Sequence, residues 1–323
     1  MGLELLYEKK EDSVKILRCF GETDEIWLPD QIEGLPVAEL GDYIFSEGMR
    51  TEPKGLLWRE NGEDEEISAP PVCGPSLRSV RLPAFLKRLG RYAFYNCDGL
   101  KRLAFPSAIR DIGAGAFNGC RKIEELTVEA DPREKSCLKE ILSELNETVA
   151  VHYRERGETG EKTLLAELLF PAFYEEAVEN TPARIIDTHW HGSGYKYRQC
   201  FPERKLDLGG YDRLFPYAVA NELPDTCLQL ALNRLKYPLS LTEEAAGQYR
   251  KFLADHGKEL VKRAVQKEDT DWLALMEEQG LLSEELTAFA TPYAAERGAA
   301  EVGSFLMDYR RRHSGRRKKT FEL

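Results

Sequence analysis

The chain has 323 residues and a net charge of -11, because 56 acidic residues outnumber 45 basic ones. This balance argues against a general nucleic-acid binder, which would be expected to carry a basic surface. The length is sufficient for two domains, each with its own core. No stretch approaches the roughly 20 apolar residues of a membrane-spanning helix, and no apolar run of signal-peptide length opens the chain. With seven scattered cysteines, we expect a cytoplasmic protein with reduced thiols.

The first third of the chain begins with short apolar runs and a degenerate motif. Residues 3–28 alternate apolar runs with charged turns, which predicts short β-strands. The motif of Leu89-Gly-Arg-Tyr-Ala-Phe94 appears first in Leu40-Gly-Asp-Tyr-Ile-Phe45, 49 residues earlier. About 26 residues, roughly Thr51–Pro75, are therefore inserted beyond one period of 23, and we assign them to an exposed loop. Within this loop Leu56-Leu-Trp58 either holds the insertion in place or forms an apolar patch on a mobile loop.

A repeat of 23 residues runs through residues 77–128. Three sets of apolar residues recur at this spacing: Leu77, Leu100 and Ile123; Val80, Leu103 and Leu126; Leu82, Phe105 and Val128. A fixed period of about 20–29 residues is typical of solenoids, in which each unit stacks on the next. Alternate residues of each short strand, such as Leu103 and Phe105, are expected to face inward.

Each unit also repeats a glycine, a phenylalanine and a cysteine: Gly90 and Gly113, Phe94 and Phe117, Cys97 and Cys120. We expect the glycines to allow a tight backbone turn and the phenylalanines to stack beneath the sheet. The cysteines should lie one above the other in a parallel stack. They form either a redox or metal ladder or, as we favour, a pair of buried thiols that act as small apolar groups.

The spacing Leu-Pro, Leu/Ile-Gly, Ala-Phe, Cys, Leu/Ile and Leu, present in residues 82–103 and 105–126, resembles the BspA-type leucine-rich repeat. The opening segment Leu28–Gly41 is similar to the first repeat of such domains. The resemblance covers roughly residues 3–128. It implies recognition of a protein or a surface rather than catalysis.

The solenoid is predicted to end in a strand–helix–strand cap over residues 126–153. Its helix should start at Asp131-Pro132 and reach about Leu145, and its last strand should span Val149–Tyr153. The next residues, 154–162, are charged and contain two glycines. We place a domain linker there, so that the domains are residues 1–153 and 163–323.

Residues 163–323 are predicted to be helical. A first apolar stripe consists of Leu164, Leu165, Leu168, Leu169 and Phe173, and a second helix carries Leu228, Leu230, Leu232 and Leu235. A third helix is expected after Ser240-Leu-Thr-Glu243, which has the pattern of a capping box.

A weak second repeat follows near the end of the chain. Asp271–Met276 matches Glu301–Leu306 at an offset of 30, and Ala264 matches Ala294. The segment resembles an ankyrin helix–turn–helix, although the unit is short and lacks the hairpin glycines. The resemblance implies stacked helix pairs.

The solenoid sheet supplies the predicted binding residues. The 23-residue spacing aligns three rows of side chains between the buried leucines: Arg78, Lys101 and Glu124; Ser79, Arg102 and Glu125; Arg81, Ala104 and Thr127. These rows change from basic to acidic along the solenoid, which suits a protein or peptide of graded charge. We therefore predict a partner-binding site at Arg78, Arg81, Lys101, Arg102, Glu124 and Glu125.

A possible metal site lies at Ile185-Ile-Asp-Thr-His-Trp-His191. Residues two apart on a strand face the same way, so Asp187, His189 and His191 could reach one ion, as in metal-dependent hydrolases. Such enzymes are barrels of about 250 residues, whereas only 132 residues follow His191. We favour an interdomain loop that turns at Gly192-Ser-Gly194.

Two basic segments have alternative interpretations. Tyr195-Lys-Tyr-Arg-Gln-Cys200 either presents an edge that binds phosphate or peptide or, as we favour, packs one domain on another. The strongly basic segment Arg310–Lys319 either binds nucleic acid or an anionic membrane surface or, as we favour, is a disordered solubilising tail.

The sequence thus predicts an α+β protein. Its N-terminal leucine-rich-repeat solenoid of short parallel strands precedes a C-terminal all-helical domain of stacked helix pairs. The expected function is a non-catalytic protein–protein interaction scaffold, without a cofactor, whose partner is a protein or peptide rather than a membrane or nucleic acid. The alternative is a metal-dependent hydrolase that uses Asp187, His189 and His191, and a third hypothesis is a nucleic-acid-associated factor that uses the tail.

Overall fold

A computed structural model describes residues 2–59, 66–156, 162–180 and 185–313. The strands are β1 Glu4–Lys9, β2 Val14–Phe20, β3 Glu25–Trp27, β4 Gln31–Ile32, β5 Leu35–Leu40, β6 Leu56–Arg59, β7 Ser79–Arg81, β8 Arg88–Leu89, β9 Arg102–Pro106, β10 Asp111–Ile112, β11 Glu125–Glu129, β12 Val149–Arg156, β13 Lys162–Phe170, β14 Tyr174–Asn180 and β15 Ile185–His191. The α-helices are α1 Leu138–Ser143, α2 Gly194–Tyr197, α3 Leu208–Arg213, α4 Phe215–Asn221, α5 Pro224–Lys236, α6 Glu243–Asp255, α7 Gly257–Lys267, α8 Thr270–Glu278, α9 Glu284–Arg297 and α10 Ala300–His313. The chain divides into two compact units, Met1–Glu222 and Leu223–Leu323.

The first unit contains the predicted solenoid. Strands β3, β7, β9, β11 and β12 pair in parallel in that order, and β13 closes the sheet in antiparallel orientation. The register matches the 23-residue spacing, since Val80 pairs with Leu103 and Leu103 with Leu126. These three side chains are buried. The solenoid of short parallel strands is therefore confirmed.

A second sheet of the same unit runs in the order β10, β8, β5, β2, β1 and β6. Its last strand, β6, comes from the predicted insertion at 51–75 and pairs with β1 in antiparallel orientation. Leu57 packs against a small cluster of Leu6, Phe20 and Ala69. The insertion is thus held in place by backbone pairing and apolar packing, whereas its residues 60–65 lie outside the described part of the chain.

The repeated aromatic and thiol groups form ladders inside the solenoid. The ring of Phe94 stacks on those of Phe45 and Phe117, with centroids 4.9 and 5.2 Å apart. Cys97 and Cys120 are buried, and each thiol donates a hydrogen bond to the backbone oxygen of a phenylalanine in the preceding turn, at 3.1 and 3.0 Å. Burial raises the pKa of Cys97 to about 12 and raises that of Cys120 as well. The interpretation as small buried groups is confirmed.

Glycine is required at positions 90 and 113 for a different reason from the tight turn that the sequence predicted. Gly90 and Gly113 do not adopt a left-handed backbone conformation; after Gly90 it is adopted by Tyr92 and Asn96, and 23 residues later by Gly115 and Gly119. A Cβ atom on Gly90 would lie 2.4 Å from the backbone of Gly41 in the neighbouring turn. A Cβ atom on Gly113 would lie 2.3 Å from the backbone nitrogen of Arg91. Both glycines therefore permit close approach of successive turns.

The strand–helix–strand cap is present as β11, α1 and β12. Its helix begins at Leu138 rather than at Asp131-Pro132, because Asp131 forms a local turn in which its carboxylate accepts a hydrogen bond from the backbone nitrogen of Arg133. The cap then continues into β13, which covers the free edge of β12.

The helix predicted at 164–173 and the domain linker predicted at 154–162 are corrected by this pairing. Lys162–Phe170 is a strand, in which Ala166, Leu168 and Phe170 face inward. Short runs of leucine fit either periodicity, and the open edge of β12 favours the strand. Residues 154–156 belong to β12, residues 157–161 lie outside the described ranges, and the division into compact units falls after Glu222.

The second unit is helical in its described part. Helix α5 carries the predicted leucines, and α6 starts after Thr242, whose hydroxyl accepts a hydrogen bond from the backbone nitrogen of Ala245. The capping residue is thus Thr242 rather than Ser240, which adopts a left-handed conformation. Within the described ranges, no helix combines the length and the apolar composition that would let it span a bilayer.

The 30-residue offset is visible in the helix boundaries. Helices α8 and α10 begin 30 residues apart, at Thr270 and Ala300. Their preceding helices, α7 and α9, end in left-handed residues 30 apart, Glu268 and Gly298. Helix α7 contacts α9, and α8 contacts α10. The stacked helix pairs are confirmed, whereas the likeness to ankyrin stays a prediction.

Candidate functional site

The outward surface of the parallel sheet is the candidate site, and we call it the sheet face. It consists of Glu25 and Trp27 on β3, Ser79 and Arg81 on β7, Arg102 and Ala104 on β9, Glu125, Thr127 and Glu129 on β11, Ala150 and His152 on β12, and Arg78, Lys101 and Glu124 just before the strands. Pairing places Ser79, Arg102 and Glu125 side by side, and Arg81, Ala104 and Thr127 side by side. Backbone hydrogen bonds from Lys101 to Arg78 and from Glu124 to Lys101 align the third row. The predicted rows therefore exist, and their role in binding stays a prediction.

Most charges on the sheet face form ion pairs with one another, and two of these pairs reach across an intervening strand: Arg102 of β9 to Glu25 of β3, and Arg81 of β7 to Glu129 of β11. Arg102 contacts Glu25 at 2.6 Å, and Lys101 contacts Glu124 at 3.0 Å. Both pairs are about half exposed. Exposed pairs of this kind contribute about 0–1 kcal/mol each. A partner can therefore replace one member at little cost in stability.

At the acidic end of the sheet face, hydrogen bonds hold the carboxylates of Glu125 and Glu129 in place. Glu129 accepts hydrogen bonds from Lys162 and, at 3.3 Å, from Arg81. Burial acts to raise the pKa of Glu129, but these two cations bring it below its ordinary value. The pKa of Glu125 is also lowered, mainly by a hydrogen bond with His152 at 3.1 Å.

Trp27 is the largest apolar group on the sheet face and was missed from the sequence. It pairs with Arg81 across β3 and β7, and 71% of its surface is exposed. Its strand lies 54 positions before the matching strand rather than 23, which hides the relationship. The available signal was the shared pattern of Ile26-Trp-Leu-Pro29 and Val80-Arg-Leu-Pro83.

The Asp187, His189 and His191 motif lies on an exposed hairpin formed by β14 and β15. The segment is a strand, so the interdomain-loop interpretation is wrong. His191 contacts Glu176 at 2.8 Å, and its ring stacks on Tyr174. Within the described residues, no group of three or more His, Cys, Asp or Glu side chains is arranged to hold a metal ion. The geometry therefore does not favour the hydrolase alternative.

Three of the six residues in the Tyr195–Cys200 cluster, Tyr197, Arg198 and Cys200, lie in the interior of the first unit. Tyr197 and Arg198 are buried, and Arg198 donates hydrogen bonds to five backbone carbonyl oxygens: those of Leu142, Leu145, Glu147, Pro171 and Gly194. Burial lowers the pKa of Arg198 to about 10. Arg198 therefore joins α1 to the base of the hairpin, rather than placing a charge in water or bridging two domains.

A pocket of about 450 Å³ lies beside Arg198 in the same unit. Its aromatic wall contains Phe173, Trp190 and Tyr195, and the rings of Trp190 and Tyr195 stack 4.0 Å apart. This wall fixes the base of the β14–β15 hairpin.

The start of the basic segment belongs to α10. Arg312 contacts Asp308 at 3.2 Å and also pairs with Glu277. Residues 314–319 lie outside the described ranges. The two interpretations of the tail stay predictions.

Comparisons with known proteins agree with the repeat. Residues 71–143 match the family model described as a BspA type leucine rich repeat region (6 copies). No curated protein is significantly similar to the chain. A leucine rich cell surface protein from Faecalibacterium prausnitzii A2-165 is similar at 22% identity and a TM-score of 0.26, over 38% of this chain and 30% of that one. A leucine rich repeat protein from T. pallidum is similar at 22% identity and a TM-score of 0.19, over 38% of this chain and 68% of that one. The N-terminal part of this chain is therefore similar to BspA-type leucine-rich repeat regions over residues 71–143.

Proposed function

We propose that the protein is a non-catalytic interaction scaffold that binds a protein or peptide through its sheet face. The observation that carries this proposal is Trp27, which stands exposed beside rows of paired charges on a regular sheet. Tryptophan and arginine are the residues that most often dominate the energy of protein interfaces. The binding residues we propose are Trp27 with Arg78, Arg81, Lys101, Arg102, Glu124 and Glu125.

The pattern of charge suggests what the partner offers. An apolar side chain of the partner would cover Trp27, where water is most easily displaced. Its acidic groups would meet Arg78 and Arg102, and its basic groups would meet Glu124 and Glu125. Since the ion pairs of Arg102 and Lys101 are exposed, exchange of their carboxylates for those of a partner costs little. Charge would then set specificity and association rate more than affinity.

We also propose a cytoplasmic location. All seven cysteines lie in the described ranges, and none forms a disulfide bond. Unpaired thiols are typical of reducing compartments. Detection of the tagged protein in an extracellular or surface fraction of its native organism would contradict this location.

Binding through the sheet face can be tested by capture from a lysate of the native organism with the tagged full-length protein, followed by affinity measurement with the captured partner. We expect Trp27→Ala to weaken binding about 30-fold, which is typical of an interface hot spot. Reversal of both Arg78 and Arg102 to Glu should weaken binding by about tenfold and make it less sensitive to salt.

Phe85→Ala is the matched control, because Phe85 is an exposed aromatic residue of the solenoid that lies outside the sheet strands. It should leave the affinity unchanged. Partners that bind Trp27→Ala and the arginine reversal as well as the wild type would remove the sheet face as the site.

A further inference from the structure

The outer edge of β15 in the β14–β15 hairpin is not paired with another strand among the described residues. The two strands pair only with each other among the described residues, and residues 186–190 are all exposed. A two-stranded sheet is marginally stable by itself. An uncovered edge presents a row of unpaired backbone N–H and C=O groups to any strand that fits.

We propose that β15 pairs in antiparallel orientation with β15 of a second copy of this chain, which joins two hairpins into one four-stranded sheet. A two-fold axis perpendicular to a sheet keeps every side chain on its own face. Residues can then pair only when they point to the same face, because side chains alternate along a strand. With the axis at Thr188, the middle residue of Ile185–His191, all seven residues pair.

This full-length register brings complementary groups together. It sets Asp187 opposite the second copy's His189, and by symmetry His189 opposite the second copy's Asp187. It also sets Ile186 opposite the second copy's Trp190, and Thr188 opposite its equivalent. A carboxylate opposite an imidazole can accept a hydrogen bond from it, and aromatic with β-branched pairs and threonine pairs are favourable across strands.

Registers with the axis at a neighbouring residue are less favourable than the one with the axis at Thr188. An axis at Asp187 would place two carboxylates opposite each other, and an axis at His189 would do the same with two imidazoles. Each of these registers also shortens the paired segment.

The other edge of the hairpin opposes self-pairing. In β14, an axis at Glu175 or at Glu176 would set two carboxylates directly opposite each other. Like charges in this arrangement are destabilising. On the paired face, Glu176 is engaged by His191 at 2.8 Å. Neither Asp187 nor His189 has an ion-pair partner within the described residues, so both can serve the second copy.

Sedimentation velocity of the full-length protein over about 1–200 µM tests the proposal, because an interface of this size suits a dissociation constant of about micromolar order. The wild type should form a dimer. His189→Glu alone should weaken dimerisation at least tenfold, because it turns both Asp–His pairs into pairs of carboxylates. Asp187→Lys alone should also weaken it, because each His189 then faces an ammonium group in place of the carboxylate that accepts its hydrogen bond. The double variant should restore it, since the introduced lysine of each copy then faces the introduced glutamate of the other.

Asp12→Lys is the control, because it makes the same change of charge as Asp187→Lys at an exposed position outside both hairpin strands and should leave the dimer intact. A protein that is monomeric throughout, or a dimer that is insensitive to the two single variants, would overturn the proposal. A double variant that stays monomeric would overturn the register.

A second measurement does not depend on charge. Thr188→Cys in a Cys73→Ser background should form a disulfide-linked dimer under mild oxidation by copper phenanthroline. Directly opposite residues have Cα atoms about 4.5–5.5 Å apart, within disulfide range. Ile186→Cys, which faces the second copy's Trp190, should not form this dimer. Equal cross-linking of both variants would contradict the register.

Discussion

From one unit to the next, the 23-residue repeat of the solenoid keeps the same side chains, whereas the 30-residue repeat of the helical unit keeps the same backbone conformation. The solenoid repeats side chains, so that one phenylalanine stacks on the next and one thiol reaches the preceding turn. The helical unit instead repeats the backbone hydrogen bonds and left-handed residues at which its helices end. The nitrogens of Asp269 and Ala299 bond to the carbonyl oxygens of Ala264 and Ala294, directly after left-handed residues.

The distance between neighbouring strands or helices explains this difference between the two repeats. Strands in a sheet lie about 4.8 Å apart, so each solenoid turn must fit closely against the next. Helices pack about 8–10 Å apart and adjust to many side chains. A solenoid position is therefore restricted in identity, whereas a helical position is restricted mainly in polarity.

The largest expected effect comes from the aromatic ladder. Phe94→Ala removes a ring that contacts both Phe45 and Phe117, so it should lower the free energy of unfolding of the first unit by about 3–5 kcal/mol. Labelling of the buried Cys137 thiol during urea unfolding reports on this unit, and labelling of the buried Cys227 thiol reports on the helical unit.

Leu306→Ala is the reciprocal control, because Leu306 is buried in α10. It should shift the labelling midpoint of Cys227 and leave that of Cys137 unchanged. If Phe94→Ala shifted both midpoints equally, the two repeats would belong to one cooperative structure, and the contrast between them would lose its thermodynamic meaning.

A pair of glycines should respond with opposite signs. Gly90→Ala places a methyl group 2.4 Å from the backbone of Gly41, and we expect a loss of about 1–3 kcal/mol. Gly303→Ala in α10 meets nothing within 4 Å, and alanine is the better helix former by about 1 kcal/mol, so this variant should be stabilised. Urea unfolding of both variants compares them directly. Stabilisation by Gly90→Ala would show that the turns can separate without cost.

The solenoid was largely predictable because its restrictions act on residue identity. The strand register, the aromatic ladder and the buried thiols all followed from the spacing of Leu77, Leu100 and Ile123. Strand β13 was not predictable, because Leu164–Leu169 satisfies helical spacing. Its strand conformation depends on the open edge of β12, a feature of tertiary structure.

The candidate site was predictable only in part. The rows of Arg102 and Glu125 followed from the period, but the contact of Arg102 with Glu25 did not, because β3 lies before the insertion. Trp27 was missed for the same reason. The interdomain loop favoured for His189 and His191 was wrong, whereas the alternative had placed both on one face of a strand; exposure of the hairpin could not be inferred from its sequence.

The smallest expected effect concerns Glu129, and it depends on pH. Its pKa is depressed in the folded protein, so its contribution is present above the ordinary value of 4.5 and is lost as the pH falls through the folded pKa. Glu129→Gln should therefore reduce stability at pH 7 by about 1 kcal/mol, and the difference from the wild type should shrink as the pH falls below 4.5 and through the folded pKa. Glu124→Gln is the matched control, since the Glu124 side chain is 66% exposed and its pairing with Lys101 contributes little. Urea unfolding at several pH values separates the two, because a pH-independent loss in Glu129→Gln would mean that packing rather than charge holds the acidic end of the sheet face.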